Sequence, residues 1–251
     1  MKKILSCSLA FILPCILLAE KRSAPPSALD HSSQLIVVTT SDWNTVDGSL
    51  QRYQRSTSAV PWKAIGSAIP VVVGKKGMGW GIGVMPIDAV RSSDDPIKHE
   101  GDLKSPAGIF RLGSAFGYAP QEPGGWKIPY LAITPSTDCV DDPQSRHYNS
   151  ILDRSTLSPD WNSAEHMREA GEAYRWGMVI EHNADPPQSR AGSCVFMHIW
   201  DRAGSGTAGC TAMPEPSIES ILAWLNPAAK PLLVQMPVQQ YRQLKTSLHL
   251  P

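Results

Sequence analysis

Apolar positions in this chain fall mostly into short runs bounded by glycine, proline and polar clusters, the punctuation of strands rather than of long helices. Gln34-Leu-Ile-Val-Val-Thr-Thr40 is β-branched and predicts a first strand, followed by a polar turn over residues 41–48. Residues 62–73 read as extended, with Val71-Val-Val73 the clearest strand among them. Ile109 to Leu112 resumes a strand after the turn residues Pro106 and Gly108, and residues 116–119, 126–134, 175–182 and 232–236 add further β-like sequence. In residues 195–200, Val195, Met197 and Ile199 share one face and Phe196, His198 and Trp200 the other. Both faces are largely apolar, which predicts a central strand.

Helical spacing is scarce. Ile218, Ile221, Leu222 and Leu225 recur at helix period after Pro214-Glu215 and stop at Asn226-Pro227. Residues 163–173 have short helical potential, anchored by Trp161 and Met167 and weakened by Gly171. Residues 91–100 and 139–149 read as polar loops. The tail, 237–251, is polar enough for a loosely docked helix. The pattern predicts one mainly β domain over residues 34–236 with a few short helices, and no internal repeat.

Composition refines this picture: 22 Pro and 19 Gly fit a turn-rich β protein, and 42% hydrophobic with 18% charged residues is ordinary for a globular chain. Lys2 and Lys3 precede an apolar run from Ile4 to Ala19, which reads as a signal peptide over residues 1–19, with residues 20–33 as a Pro/Ser-rich tether. A retained anchor is the alternative, although Pro14 interrupts the run and it is short for a span. Lys+Arg and Asp+Glu are both 23, so no basic field exists to attract nucleic acid. Export leaves Cys139, Cys194 and Cys210, an odd number. A Cys139–Cys194 disulfide with Cys210 free is the economical assignment; two buried free cysteines are the alternative.

Candidate chemistry concentrates in residues 194–213. His198 stands twelve positions before Cys210, which follows a glycine-rich loop. A thiolate, not a thiol, is the nucleophile, so Cys210 needs a base, and the helix after Pro214 is expected to point its positive end towards it. The N–H groups of Gly209 and Cys210 are candidates for an oxyanion hole. The glycine run 74–83 follows a strand but lacks a helix to present N–H groups to a phosphate, so close packing around Trp80 is the better reading. Asp138, Asp141, Asp142 and His147 lack metal-ligand spacing and read as turn caps and surface charge, and His99 as a solvated loop residue. Neither metal nor cofactor is expected.

Together, His198, Thr207-Ala-Gly-Cys210, Glu100-Gly-Asp-Leu-Lys-Ser-Pro-Ala-Gly-Ile-Phe110 and Ile180-Glu-His-Asn183 resemble the L,D-transpeptidase catalytic-domain family. The resemblance covers about residues 34 to 236. It implies a β-sandwich-like domain in which Cys210 attacks the L-centre carbonyl of a peptidoglycan tetrapeptide stem, releases D-alanine and passes the acyl group from a thioester to an amine. It also implies His198 as base, then acid, a periplasmic or envelope location, and susceptibility to carbapenems. A monomer is expected. Trp200, Arg202 and Tyr148 are candidates for substrate contact, and a backbone carbonyl is one candidate for orienting His198. The sequence departs from the family at Ala208, where histidine is common, and at Ala212-Met213, where an arginine is common; its His198–Cys210 loop is also short. These departures leave the acceptor open, so an L,D-carboxypeptidase using water, or a non-catalytic peptidoglycan-binding envelope protein, are the alternatives.

Overall fold

A computed structural model describes residues 28–251 apart from 87 and 89, so the proposed signal peptide lies outside the described residues. Thirteen strands follow in chain order: β1 Gln34–Thr40, β2 Asp47–Gln54, β3 Lys63–Val72, β4 Met78–Trp80, β5 Ser105–Gly117, β6 Tyr130–Ala132, β7 Thr137–Val140, β8 Ile151–Asp153, β9 Ala164–His166, β10 Trp176–Ile180, β11 Phe196–Ile199, β12 Thr211–Met213 and β13 Leu232–Pro237. Two α-helices, α1 Glu215–Trp224 and α2 Val238–Lys245, complete a mainly β fold with few short helices.

Ten strands form one sheet in the order β10-β11-β12-β3-β2-β1-β13-β5-β4, with β6 beside β5. The long strand β5 closes it: residues 108–111 pair with β13, while residues 112–117 pair with β10. The layers that the resemblance implies are therefore two sides of one sheet folded back on itself. Enclosed between them are Leu35, Ile36, Phe110, Met178, Met197, Leu233 and Val234, among other fully buried side chains, and Ile218, Ile221 and Leu222 of α1 join the same core.

The alternation of residues 195–200 has a structural counterpart. Val195, Met197 and Ile199 enter this main core, whereas Phe196 belongs to a second cluster with Phe116, Met167, Tyr174, Cys139 and Cys210. β11 thus separates two apolar cores.

Several expectations need correction. β2 carries one fully buried residue, Leu50, so it has almost no hydrophobic signal, yet it pairs along its length with β1 and β3. Residues 139–149 are not wholly loop: β7 is buried throughout and centres a three-stranded sheet, β8-β7-β9. The helix expected over 163–173 is instead β9 followed by a 3-10 segment, Met167–Tyr174, broken where Gly171 takes φ 62°. At the start, Leu29 is buried and its carbonyl accepts from Arg55, so the fold begins ahead of residue 34. At the end, Tyr241, Leu244 and Leu248 pack on the main core and Leu250 is buried, so the tail is docked rather than loose.

Glycines between residues 74 and 83 serve close packing. Gly77 has φ 74°, and a Cβ there would lie 2.0 Å from the Trp43 carbonyl oxygen; one on Gly74 would lie 2.3 Å from that of Leu103. Only residues without side chains let β4 and its turn press against these neighbours.

Candidate active site

Cys210 ends the glycine loop just ahead of β12. The parallel register of β11 and β12 sets Met197 against Thr211 and His198 against Ala212, which places Phe196 beside Cys210 on the same face of the sheet as His198. Both Cys210 and His198 line a cavity of about 740 Å³. The Phe196 N–H donates to Cys210 Sγ at 3.3 Å, and Sγ lies 3.6 Å from the Cys194 carbonyl oxygen. Cys139 and Cys194 form a disulfide with Cα atoms 5.9 Å apart, and Cys210 is the free cysteine among the described residues.

His198 Nδ1 is 2.8 Å from the Ile199 carbonyl oxygen. A carbonyl only accepts, so the proton sits on Nδ1 and Nε2 keeps its lone pair. Burial pulls the imidazole down to about 4. Burial, reinforced by the charge of Glu165, pushes the Cys210 thiol up to about 12, against the opposing pull of Phe196 N–H, Tyr174 and Lys98. The resting pair is therefore neutral thiol and neutral imidazole. The helix expected to help contributes little: β12 carries the chain roughly 10 Å beyond Cys210 before α1 begins, and Glu215 at its start is ion-paired with Arg175. A macrodipole acts over about one turn, so its end is too remote.

What fixes the cysteine loop is the distant segment 98–106. Ser105 Oγ donates to the Cys210 carbonyl at 2.9 Å and accepts from Gly74 N–H at 2.9 Å. Thr207 Oγ1 also donates to the Cys210 carbonyl, at 2.6 Å, and accepts from Gly209 N–H at 3.1 Å. Gly209 N–H is thus committed, which leaves Cys210 N–H as the stronger of the two oxyanion candidates. Pro106 O receives Gln235 Nε2, whose Oε1 receives Thr211 Oγ1.

Two of the three expected substrate contacts, Trp200 and Arg202, line the cavity. Tyr148 does not reach the cavity wall: it is buried, donates to Glu100 Oε2 at 2.5 Å and accepts from Gly192 N–H. Its partner Glu100, also held by Ser193 Oγ, is the group that faces the cavity. Asp142 caps Gln144 and Asn162 as a turn residue should, but Asp138 is buried and holds Arg154 and His166 at 2.6 and 2.8 Å rather than lying on the surface.

Sequence reading missed Lys98, Glu165 and Tyr174. Lys98 is a buried cation held by Asp102 at 2.6 Å, and its Nζ would lie 3.9 Å from a Cβ on Gly209. Its signal was its place beside the Glu100-Gly-Asp102 element. Tyr174 and Glu165 sit in weakly patterned sequence that gave none.

A folded-back β sheet that brings a buried cysteine and a neutral histidine to one cavity has the parts that thiol chemistry requires. The family model for YkuD, the L,D-transpeptidase catalytic domain, matches residues 45–238, and the chain belongs to that family. No curated protein matches the chain. Among solved structures, the helical cell shape determining protein Pgp2 from Campylobacter jejuni is similar at 15% identity, with a TM-score of 0.41. That likeness covers 82% of this chain and 48% of the other, so this chain spans about half of that protein's length.

Proposed function

We propose that this protein is a peptidoglycan L,D-transpeptidase acting outside the cytoplasm, after export directed by residues 1–19. The observation that carries the reading is that β11 and the residue leading into its partner β12 bring His198 and Cys210 into one cavity, with a backbone N–H already directed at the sulfur.

Cys210 Sγ attacks the L-centre carbonyl carbon at the third residue of a tetrapeptide stem while its proton passes to His198 Nε2. Collapse of the tetrahedral intermediate breaks the C–N bond, His198 returns the proton to the departing amine, and D-alanine leaves behind a thioester. An amine from a second stem then attacks, gives its proton to His198 and restores the thiol as it forms the crosslink. Cys210 N–H supports the oxyanion in both steps. Because thiol and imidazole are both neutral at rest, the nucleophile forms only as a proton passes from Sγ to Nε2. Trp200 and Arg202 contact the stem at the cavity wall.

Mass spectrometry of the mature protein incubated with muropeptides tests this. Crosslinked products with loss of D-alanine are expected; trimmed products alone would instead assign a carboxypeptidase using water. A carbapenem should add its full mass to the wild-type protein and not to Cys210→Ala, and an unchanged adduct on that variant would remove Cys210 from the mechanism.

A further inference from the structure

The 3-10 segment Met167–Tyr174 delivers one buried phenol to the centre of the second apolar cluster, the cluster that contains Cys210. Tyr174 is 4% exposed, and its ring meets the His198 ring edge-on at 5.2 Å. Its hydroxyl donates to Glu165 Oε1 at 2.6 Å, and Tyr174 packs in the same apolar cluster as Cys210, near enough to act on the thiol. Tyr174, Glu165, His198 and Cys210 all line the same cavity. A phenol has one proton to donate, so it can satisfy the carboxylate or a sulfur anion, but not both at once.

We propose that Tyr174 is a further catalytic residue whose hydroxyl turns from Glu165 to the sulfur as negative charge develops there, so that Glu165 and Tyr174 set the reactivity of Cys210 with opposite signs. No bond to Tyr174 oxygen is made or broken: the thiol proton still goes to His198 Nε2, and the phenol keeps its own. With the thiol protonated, the hydroxyl neutralises part of the Glu165 charge. Once the sulfur is anionic, the hydroxyl stabilises it and leaves Glu165 more exposed to its neighbours. The charged and titratable groups that bear on the sulfur are Glu165 from β9, Tyr174 and Lys98 from the loop before β5, and His198 from β11 lines the same cavity. Tyr174 touches two of them, Glu165 through its hydroxyl and His198 through its ring.

This inference rests on the thiol acyl-transfer reading for its purpose, but its test needs no peptidoglycan. The probe is iodoacetamide at fixed pH, with alkylation of the Cys210 peptide of the full chain followed by mass spectrometry, which excludes signal from Cys7 and Cys15. Losing a hydrogen bond to a charged group shifts the thiol by about one to two units, and thiolate nucleophilicity rises as its fraction falls, so Tyr174→Phe should alkylate about three to ten times more slowly. Glu165→Gln removes the opposing charge and should alkylate about threefold faster or more. Loosened packing would speed both variants, so a Tyr174→Phe rate equal to or above wild type overturns the proposal. Should Tyr174→Phe fail to fold, Glu165→Gln decides alone: a rate no faster than wild type overturns it. If the opposite shifts appear while muropeptides are left untouched, the peptidoglycan reading fails and this one stands.

Discussion

Acidification between pH 7 and 5 should destabilise this protein through its buried histidines. His182 is 2% exposed, donates Nε2–H to the Ala191 carbonyl at 3.0 Å and accepts Ile82 N–H on Nδ1, an arrangement that needs the neutral ring. His198 is 9% exposed and its Nδ1–H is given to Ile199. Burial lowers both from 6.5 to about 4. A histidine whose folded value is depressed binds its proton first in the unfolded chain. Its neutral form supports the fold above pH 6.5, and that support is lost as pH falls from 6.5 towards 4. Each ring should therefore cost about 2 kcal/mol between pH 7 and 5, and the pair about 4 kcal/mol, a large part of an ordinary domain's stability. Glu165 works the other way, since burial raises its carboxyl above the ordinary range and protonation there favours the folded state. The carboxylates held low by turn N–H groups, such as Asp142 and Glu122, lose their contribution only at still lower pH. Urea unfolding at pH 7, 6 and 5 measures the slope, and His198→Gln should remove about half of it. A free energy of unfolding that stays flat across this range would refute the assignment of two neutral buried rings.

Replacing both Cys139 and Cys194 by alanine opens a link with a sequence separation of 55 residues and should lower stability by about 4 kcal/mol on the chain-entropy account, read from the urea midpoint. The same change should slow carbapenem acylation, because Cys194 O stands beside Cys210 Sγ. Gly77→Ala should destabilise by about 3 kcal/mol or more, since φ 74° and the Trp43 carbonyl both oppose a Cβ; thermal unfolding checks it. Gln235→Leu leaves the Thr211 hydroxyl without its buried acceptor and should cost about 1–3 kcal/mol while slowing acylation at the adjacent Cys210.

Strands with apolar runs were legible because burial on both faces leaves no other use for consecutive β-branched residues. β1, β13 and β11 fall where Gln34–Thr40, Leu232–Met236 and Val195–Trp200 place them, and α1 follows its helical spacing. β2 was illegible because its partners, not its composition, make it a strand: only Leu50 is fully buried, and backbone pairing with β1 and β3 supplies the rest. The 3-10 segment before β10 was illegible for a related reason. Met167 and Tyr174 are its buried anchors, and Gly171 breaks the period between them.

His198 and Cys210 were a weak signal by themselves and became candidates only in company with residues 100–110 and 180–183. Their setting was not legible, since it is assembled from contacts across a hundred residues. Ser105 and Cys210 are 105 positions apart and share one hydrogen bond; Pro106 reaches Thr211 through Gln235. The segment 98–106 and the cysteine loop therefore form one structural unit, although neither predicts the other by local rules. Ala212 is fully buried against His198, so a long cation there would have to displace the ring it serves. Lys98 brings positive charge to bear on the Cys210 thiol and is held by the same Asp102 that fixes the backbone at His99 and Lys104. Removing Asp102 would free that lysine and loosen the segment carrying Ser105 together, so the cation and the loop anchor cannot be varied independently.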